Sequence, residues 1–247
     1  MRSMKSRLGE DVELGTFIKF PLVESVELMA IAGFDLVVID LEHSPMSIES
    51  AARLLAMAKA LGVESLVRIP SHGYEWVQRS LDAGASGVLV PHVDNAEEAE
   101  QLVAAAHFPP RGHRGFGPTT RAGGWAVDPG TDYQQEADNA ALVVQIESGE
   151  GVANIEGILA AGVDSVFVGP ADLSVALGAE PGSPQLAQAG RAVLDAARAS
   201  GIPCGIAAGT GERARQLVDE GYDFTVVGND ATMLGASAQA LAAAFRR

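Results

Sequence analysis

The stretch VVIDLEHSP, residues 37–45, joins an apolar run to two acids and an imidazole. Val37, Val38 and Ile39 suit a buried strand, whereas Asp40, Glu42 and His43 are polar or charged. Seven further apolar runs of similar length occur along the chain, and they are mostly apolar throughout, which is typical of parallel strands covered on both faces. The eight predicted strands are LGTFI (14–18), LVVID (36–40), SLVRI (65–69), GVLVP (87–91), LVVQI (142–146), DSVFV (164–168), IPCGI (202–206) and FTVV (224–227).

Helix-compatible segments separate these runs. Ser47 and Gly62 are expected to begin and end one helix, and Pro184 suits the first turn of another. Asp94 and Glu97 have the spacing of a capping box at the start of a third helix. Strand and helix patterns therefore alternate along the chain.

Eight strands that alternate with helices predict a (β/α)8 barrel. A chain of 247 residues has the size of one such barrel, and no linker rich in Pro, Gly or Ser divides it, so residues 1–247 are expected to form a single domain. The alternative architecture is an open doubly wound sheet. That alternative is disfavoured because no GxGxxG follows the first strand.

Composition narrows the classes of function. Hydrophobic residues make up 47% of the chain and charged residues 20%, which excludes a disordered chain. The net charge of −15 argues against partnership with nucleic acid or a membrane surface. One cysteine, Cys204, and an N-terminus without an apolar core predict a cytoplasmic protein. No apolar segment has the length of a membrane helix.

Residues 108–140 depart from the alternating pattern, because they are long and rich in Gly, Pro and Arg. Loops of this length are usually functional or disordered, and a mobile surface insertion is the structural alternative. A helix-to-strand connection opens on the barrel face opposite the chemistry. Arg111, Arg114 and Arg121 would therefore reach the site only if the segment folds back or crosses to a neighbouring subunit.

Polar residues follow nearly every predicted strand. In barrel enzymes the chemistry lies at the carboxyl ends of the strands, so these residues are expected at one mouth. Taken singly, each position is more readily explained as an ordinary polar loop residue. Together they are Lys19, Asp40, Glu42, His43, Arg68, His92, Asp94, Glu147, Asp172, Asn229 and Asp230.

Glu147 and Asp172 follow consecutive strands. Neighbouring strands lie about 4.8 Å apart, so both carboxylates can reach one point. Two hard oxygen ligands suit Mg2+ or Mn2+. The structural alternatives are a helix N-cap for Asp172 and a solvated acid for Glu147.

Arg68 lies in an otherwise apolar strand, where a guanidinium requires an anionic partner. It either pairs with a neighbouring acid or points into the mouth, where it would stabilise a developing enolate oxygen. His43 has an unperturbed pKa near neutrality and is the candidate proton carrier, with Asp82 as a possible partner for its ring. A structural His43 is the alternative, and His72, His92, His107 and His113 are other candidates.

Two other chemistries are less well supported by these residues. A Schiff-base aldolase needs a lysine, yet the chain has only three, and only Lys19 ends a strand. Phosphate binding at the glycine-containing loops 205–212 and 228–233 is less favoured than tight strand-to-helix turns.

Several motifs together resemble the HpcH/HpaI aldolase family, whose members are metal-dependent pyruvate aldolases that cleave 4-hydroxy-2-oxo acids. The resemblance runs in order from about residue 10 to the C-terminus. The matching segments are GFDLVVIDLEHSP (33–45), LVRIP (66–70), LDAGASGVLVPHVD (81–94), PPRGHRGFGPTTRA (109–122), QIESGEGVANIEGI (145–158) and GVDSVFVGPADLSVALG (162–178).

The resemblance implies a ligand set. Glu147 and Asp172 correspond to the ligands of a divalent cation, with Mg2+ or Mn2+ favoured and Co2+ or Zn2+ also considered. The backbone amides of Gly169 and Ala171 would bind the carboxylate of the 2-oxo acid.

The resemblance also implies the catalytic groups. Arg68 would contact the keto or enolate oxygen, and His43, supported by Asp82, would be the acid/base group. Phe20 and Pro21 depart from the shorter polar turn of many relatives, which leaves the aldehyde partner open.

The resemblance further implies a homo-oligomer, a hexamer or a trimer, in which C-terminal helices are exchanged between subunits. The apolar tail MLGASAQALAAAF is compatible with that exchange. The leading hypothesis is a metal-dependent aldolase acting on a 2-oxo acid and an aldehyde. The alternatives are an oxaloacetate decarboxylase, a citrate-lyase-like acyl-CoA lyase, or a non-catalytic barrel that binds oxo acids.

Overall fold

The computed structural model describes residues 4–8, 10, 13–128 and 132–246, and within them the chain forms eight strands and twelve α-helices. Among these helices, none combines the length and the hydrophobicity needed to cross a bilayer. The strands are β1 Leu14–Ile18, β2 Leu36–Asp40, β3 Glu64–Arg68, β4 Gly87–Val90, β5 Ala141–Ile146, β6 Ser165–Val168, β7 Cys204–Ala208 and β8 Phe224–Asn229. The helices are α1 Met4–Arg7, α2 Val23–Ala32, α3 Ile48–Leu61, α4 Tyr74–Asp82, α5 Ala96–Ala106, α6 Tyr133–Asn139, α7 Gly149–Ala153, α8 Ile155–Ala160, α9 Pro170–Leu177, α10 Pro184–Ser200, α11 Gly211–Glu220 and α12 Asp230–Phe245.

The strands form a closed parallel barrel in chain order. Each strand pairs with the next, and β8 pairs with β1, with a register shift in β1 between Gly15 and Phe17. This closure confirms the (β/α)8 barrel and excludes the open sheet. Each predicted strand overlaps an observed one, because long apolar runs between helices allow few other assignments.

The side chains of each strand alternate between the barrel interior and the surrounding helices. On β2, Val37 and Ile39 belong to the outer apolar cluster that includes the helices. Leu36 and Val38 belong to a separate inner cluster. Met4 and Leu8, from the N-terminal segment, are buried in that same inner cluster.

The inner row changes from apolar to polar towards the carboxyl ends of the strands. This change follows from the alternation of side chains, since residues two apart share a face. It directs charged side chains into one end of the barrel interior. The inward rows are Leu36, Val38 and Asp40 on β2, Leu66 and Arg68 on β3, and Val143 and Gln145 on β5.

Two predicted helix boundaries are confirmed. Ser47 accepts a hydrogen bond from the backbone N–H of Ser50 at the start of α3, and Gly62 ends α3 with φ 72°. Pro184 occupies the first turn of α10.

The predicted capping box at α5 is wrong by one residue. The N-cap is Asn95, whose side chain accepts from the Glu98 N–H at 3.0 Å. Glu98 in turn accepts from the Asp94 N–H at 2.8 Å, whereas Glu97 makes no cap. The reason is that the Asp94 carboxylate is engaged elsewhere, by the Ser148 hydroxyl.

Aromatic rings pack together within the long segment 108–140. Phe108 and Tyr133 pack edge to face with ring centroids 5.2 Å apart, and Phe116 packs against both. The Arg114 guanidinium is buried and lies over the Phe108 and Tyr133 rings. A short 3-10 turn at Gly124–Ala126 and helix α6 belong to this segment, and residues 129–131 lie outside the described residues.

The interior of the barrel near β7 is filled by rings that leave no room for a side chain at Gly205. Phe167 and Phe224 stack with centroids 5.9 Å apart, and a Cβ added at Gly205 would lie 2.3 Å from the Phe224 ring. We expect Gly205→Ala to lower the free energy of unfolding by about 1–3 kcal/mol through overpacking. Urea unfolding followed by circular dichroism measures this change. Gly209→Ala is the matched control, since an added Cβ there meets nothing within 4 Å; an equal effect at both positions would contradict the packing argument.

Candidate active site

The buried carboxylate of Asp40 organises the mouth of the barrel. Arg68 donates two hydrogen bonds to this carboxylate, from Nε to Oδ1 at 3.0 Å and from Nη2 to Oδ2 at 2.7 Å. The Lys19 ammonium lies 2.6 Å from Oδ2. The backbone N–H groups of Glu42 and His43 both donate to Oδ1 at 3.1 Å. One acid therefore joins β1, β2 and β3 and fixes the loop that carries Glu42 and His43.

The surroundings of Asp40 keep it ionised. Burial alone would raise its pKa, but the hydrogen bonds and charge of Arg68, together with Lys19, outweigh burial and hold the pKa at about 2, below the ordinary 3.8. The Lys19 side chain makes its salt bridge to this same carboxylate. Lys19, the lysine that follows β1, therefore lies in a salt bridge at the mouth of the barrel.

Arg68 has the anionic partners that its burial requires. Besides Asp40, its Nη1 lies 3.2 Å from Glu42 Oε2. Its guanidinium carbon lies 4.7 Å from the centroid of the Phe17 ring. Arg68 is therefore a fixed positive charge at the mouth, with its plane set by a carboxylate and an aromatic ring.

Three potential metal ligands lie close together beside the Arg68 guanidinium. Ligand atoms of Glu42, His92 and Glu147 all lie within 4.8 Å of one another. The Glu147 Oε1 accepts from the His92 backbone N–H at 2.8 Å and lies 3.0 Å from the His92 Nδ1. Glu147 Oε2 accepts from the side-chain amide of Gln145. Of this group, sequence reasoning had assigned only Glu147 to a metal.

Asp172, the other expected ligand, lies nearby but outside this group of three. It is half-buried in the first turn of α9. Burial raises the pKa of Glu147, and the negative charge of Asp172 raises it further, while the His92 charge and hydrogen bonds oppose the change. The two acids of the predicted pair therefore lie close enough for their charges to interact.

The chemistry of these side chains fits a divalent cation. Carboxylate and imidazole donors bind Mg2+, Mn2+, Co2+ or Zn2+. Gln145 Oε1 is buried and has no hydrogen-bond donor in the described chain, and the buried Glu42 Oε2 accepts no hydrogen bond although it forms an ion pair with Arg68. Gly169 leaves space at the same place, since a Cβ there would lie 2.8 Å from Glu147 Oε2. A bound cation would also offset the burial and the Asp172 charge that raise the pKa of Glu147.

His43 lies at the edge of the mouth. Its side chain is 54% exposed, and its Nε2 lies 3.7 Å from Glu42 Oε2. Its carbonyl accepts from the Lys19 ammonium at 3.2 Å. The backbone is thus fixed while the imidazole faces solvent, an arrangement open to an incoming substrate.

Asp82 does not contact His43 within the described chain, so the expected pairing is absent inside one subunit. Its Oδ1 instead lies 2.7 Å from Arg114 Nη2 and accepts from the Tyr133 hydroxyl at 2.8 Å. The physical reason is that Asp82 ends α4, the helix that leads away from the carboxyl end of β3.

The two expected backbone donors differ in availability. The Gly169 N–H donates to the Ile146 carbonyl at 3.1 Å, so the sheet already uses that amide, and its expected role as an anion donor is not available. Ala171 is the second residue of α9, where the N–H has no partner within the helix. Ala171 is therefore the better donor for a bound carboxylate.

A separate cavity of about 440 Å³ lies beside Asp82. Neither Glu42 nor Glu147 lines this cavity. The candidate active site is therefore identified by the chemistry of its side chains and not by the cavity. The lining residues are Ile48, Glu49, Ala52, Arg79, Asp82, Ala83, Thr119, Thr120, Arg121 and Trp125.

Comparison with known proteins places this geometry in a family. Residues 14–236 match the family model described as HpcH/HpaI aldolase/citrate lyase. The chain is 39% identical over 236 residues to a hydroxypyruvate/pyruvate aldolase of Chromohalobacter salexigens, covering 93% of this chain and 92% of that protein. It is 33% identical over 241 residues to a 2-dehydro-3,6-dideoxy-6-sulfogluconate aldolase of Pseudomonas putida, covering 96% and 94%.

A solved structure gives the same result. The crystal structure of an HpcH/HpaI aldolase/citrate lyase family protein from Burkholderia cenocepacia J2315 superposes with a TM-score of 0.92 at 32% identity, covering all of both chains. The family match covers all eight strands of the barrel and the three converging residues Glu42, His92 and Glu147. This chain is a carbon–carbon lyase that belongs to the HpcH/HpaI aldolase/citrate lyase family.

Proposed function

We propose that this protein is a divalent-metal-dependent aldolase that reversibly cleaves 4-hydroxy-2-oxo acids into pyruvate, or a related 2-oxo acid, and an aldehyde. The observation that carries the proposal is the convergence of Glu147, Glu42 and His92 next to the buried Arg68 cation. Relatives at 33% and 39% identity are named aldolases, which supports the same reaction class here.

Glu147 and Asp172 are the proposed metal-holding acids, with Mg2+ or Mn2+ favoured and Co2+ or Zn2+ as alternatives. When bound, such a cation supplies Lewis-acid stabilisation of the negative charge that develops on the 2-oxo oxygen. The setting of Glu147 supports this assignment, because burial, and after it the charge of Asp172, raises its pKa, and a cation beside the carboxylate would favour its ionised form.

The protein groups have distinct proposed roles in cleavage. The Ala171 N–H binds the substrate carboxylate, and Arg68 adds positive charge where the oxygen becomes negative. His43 accepts the proton of the 4-hydroxyl group, the C3–C4 bond breaks, and the aldehyde leaves. The pyruvate enolate then takes a proton at C3, and synthesis runs in the reverse direction.

Acyl-CoA cleavage is less well supported than aldol cleavage. A CoA substrate favours a basic approach to the site, and the arginines of the 108–140 segment were the candidates for it. Arg114 is buried against Asp82, and Arg121 lies 5.6 Å from the Trp125 ring centroid. Arg111 pairs with Asp138 at 3.9 Å, so of the three arginines Arg114 is the one that its burial removes from a CoA approach.

We also propose a homo-oligomer, a hexamer or a trimer, in the cytoplasm. Helix α12 exposes apolar side chains that a subunit contact would cover, namely Leu234 (63% exposed), Leu241 (74%) and Phe245 (92%). Exchange of α12 between subunits is one such contact. Because Asp82 does not contact His43 within one chain, its proposed support of the imidazole would act across a subunit contact.

Removal of the cation should abolish enolisation. We expect protein that has been stripped of metal to show no proton exchange at pyruvate C3 by NMR, and added Mg2+, Mn2+, Co2+ or Zn2+ to restore it. Glu147→Gln should slow exchange at least about a hundredfold, since several kcal/mol of charge stabilisation are lost at about 1.4 kcal/mol per tenfold. The exposed Glu150→Gln is the matched control. Exchange that persists in a chelator would defeat the proposal.

Loss of the His43 imidazole should slow cleavage without unfolding the protein. We expect His43→Asn to lower kcat for a 4-hydroxy-2-oxo acid by about 10² to 10⁴, the usual range for acid/base assistance. An assay coupled to pyruvate release measures the rate. A parallel assay with CoA thioesters measures acyl-CoA cleavage. The exposed His113→Asn serves as control; a normal rate in His43→Asn would rule out the assigned role.

The apolar face of α12 should hold subunits together. We expect sedimentation velocity to show a species several times the 25.5 kDa chain, and Leu241→Glu with Phe245→Glu to shift it to smaller species, because buried charge opposes association. Leu61→Glu, at an exposed position on α3, is the control. A monomer in the unaltered protein would refute the proposed assembly.

A further inference from the structure

Lys19 places an ammonium at the mouth of the barrel, beside the loop that carries His43. It lies two residues after Phe17, which packs against the inner apolar cluster, so its side chain continues the inward row of β1. The ammonium donates to Asp40 Oδ2 at 2.6 Å and to the His43 backbone carbonyl at 3.2 Å. A lysine ammonium has three N–H donors, and these two acceptors use two of them. Because the side chain is 24% exposed, the third donor is open to a ligand that enters the mouth.

The fold holds this ammonium in place before any substrate binds. Asp230, the first residue of α12, accepts from the backbone N–H of Lys19 at 2.9 Å and from that of Phe20 at 3.1 Å. Asp40 and the His43 carbonyl hold the tip of the side chain. Ordering a long, freely rotating side chain on binding costs conformational entropy. Here the fold has already fixed the donor, so that cost does not fall on substrate binding.

We propose that Lys19 is a specificity-determining residue that selects aldehydes carrying an anionic oxygen group, such as a carboxylate. This inference rests on the proposed function, in which His43 accepts the proton of the 4-hydroxyl group, whose oxygen becomes the aldehyde oxygen. His43 therefore marks the aldehyde half of the substrate, and the Lys19 ammonium contacts the backbone of that same residue. The third N–H of Lys19 donates to the anionic group of the aldehyde.

The 2-oxo acid half belongs to a different part of the mouth. Its carboxylate is assigned to the Ala171 N–H at the start of α9, which follows β6. In the closed barrel β7 and β8 separate β6 from β1, whereas β2, which leads to His43, pairs directly with β1. Lys19 and Ala171 therefore suit the two ends of a substrate that is anionic at both ends.

The negative charge of the chain explains why an anionic aldehyde requires this lysine. The net charge is −15, and four acids stand at the mouth, namely Asp40, Glu42, Glu147 and Asp172. Arg68 directs Nε and Nη2 to Asp40, and its Nη1 lies 3.2 Å from Glu42. Without a further cation beside it, an anionic group near His43 would be repelled by these carboxylates.

The two other lysines of the chain lie at the opposite end of the barrel. Lys5 pairs at 3.1 Å with Asp164, which directly precedes β6. Lys59 is exposed in the last turn of α3, ahead of the start of β3. Replacing Lys59 therefore changes the net charge by the same amount as replacing Lys19, but away from the mouth, and it serves as the matched control.

Aldol addition of pyruvate to 4-oxobutanoate and to 5-oxopentanoate, each compared with its uncharged methyl ester, tests the inference. The assays use the full-length protein with added Mg2+ or Mn2+ at about 0.15 M salt, which screens distant surface charges. In the unaltered protein we expect the KM of the acid to lie about tenfold below that of its ester for at least one chain length, the effect of one charge-assisted hydrogen bond.

Substitution of Lys19 should remove this preference and little else. In Lys19→Met we expect the KM of the acid to rise to that of the ester, while the KM values of the ester and of pyruvate stay unchanged. Lys19→Arg keeps a cation and should keep the preference. Lys59→Met should behave like the unaltered protein.

Two results would overturn the inference. The first is an equal KM for acid and ester in the unaltered protein at both chain lengths, a result that does not depend on the folding of any variant. The second is a loss in Lys19→Met that is equal for acid and ester or that falls on pyruvate, since Lys19 would then only support Asp40 and His43 or serve the 2-oxo acid.

The same assays separate this failure from failure of the proposed function. Metal-dependent addition to the esters keeps the aldolase proposal even where the acids gain nothing from Lys19. Absence of addition to every aldehyde, together with absence of proton exchange at pyruvate C3, would defeat the proposed function and this inference with it.

Discussion

The carboxylate of Asp40 is the constraint on which the mouth of this barrel depends. It lies at the end of an apolar inner row, where a charge is tolerated only because Arg68, Lys19 and two backbone amides surround it. Removing one member of a buried ion pair typically costs about 3–5 kcal/mol, since the partner charges stay buried and unpaired. The loop that carries Glu42 and His43 takes its shape from the same acid.

Arg68 links the buried Asp40 carboxylate to the candidate active site. Asp40 accepts hydrogen bonds from the Nε and Nη2 edge of its guanidinium, Phe17 lies against its face, and Nη1 lies near Glu42, which borders the proposed cation site. A positive charge held in this way needs no rearrangement when negative charge develops beside it. Asp40 and Glu42 therefore hold the Arg68 guanidinium beside the proposed metal site.

Departures from the sequence-based expectations have one cause, which is that local patterns carry no information on distant partners. Asp82 was paired with His43 by resemblance, yet in the chain it contacts Arg114 and Tyr133, which lie 32 and 51 residues away. The Gly169 amide was expected to bind an anion, but the neighbouring strand already uses it. Asn95 rather than Asp94 caps α5 because Asp94 bonds to Ser148, which is 54 residues distant.

By itself, the sequence determined the barrel, because eight apolar runs separated by helical segments allow few other ways to bury both faces of each strand. It also determined which residues stand at the carboxyl ends, and hence Arg68, Glu147 and His43 as site candidates. Only the tertiary structure decided that Glu42 and His92 lie beside Glu147, within reach of the charge of Asp172. The reason is that strand order fixes which ends are neighbours, whereas the reach of a side chain depends on loop geometry and on the partners that each acid finds across the barrel.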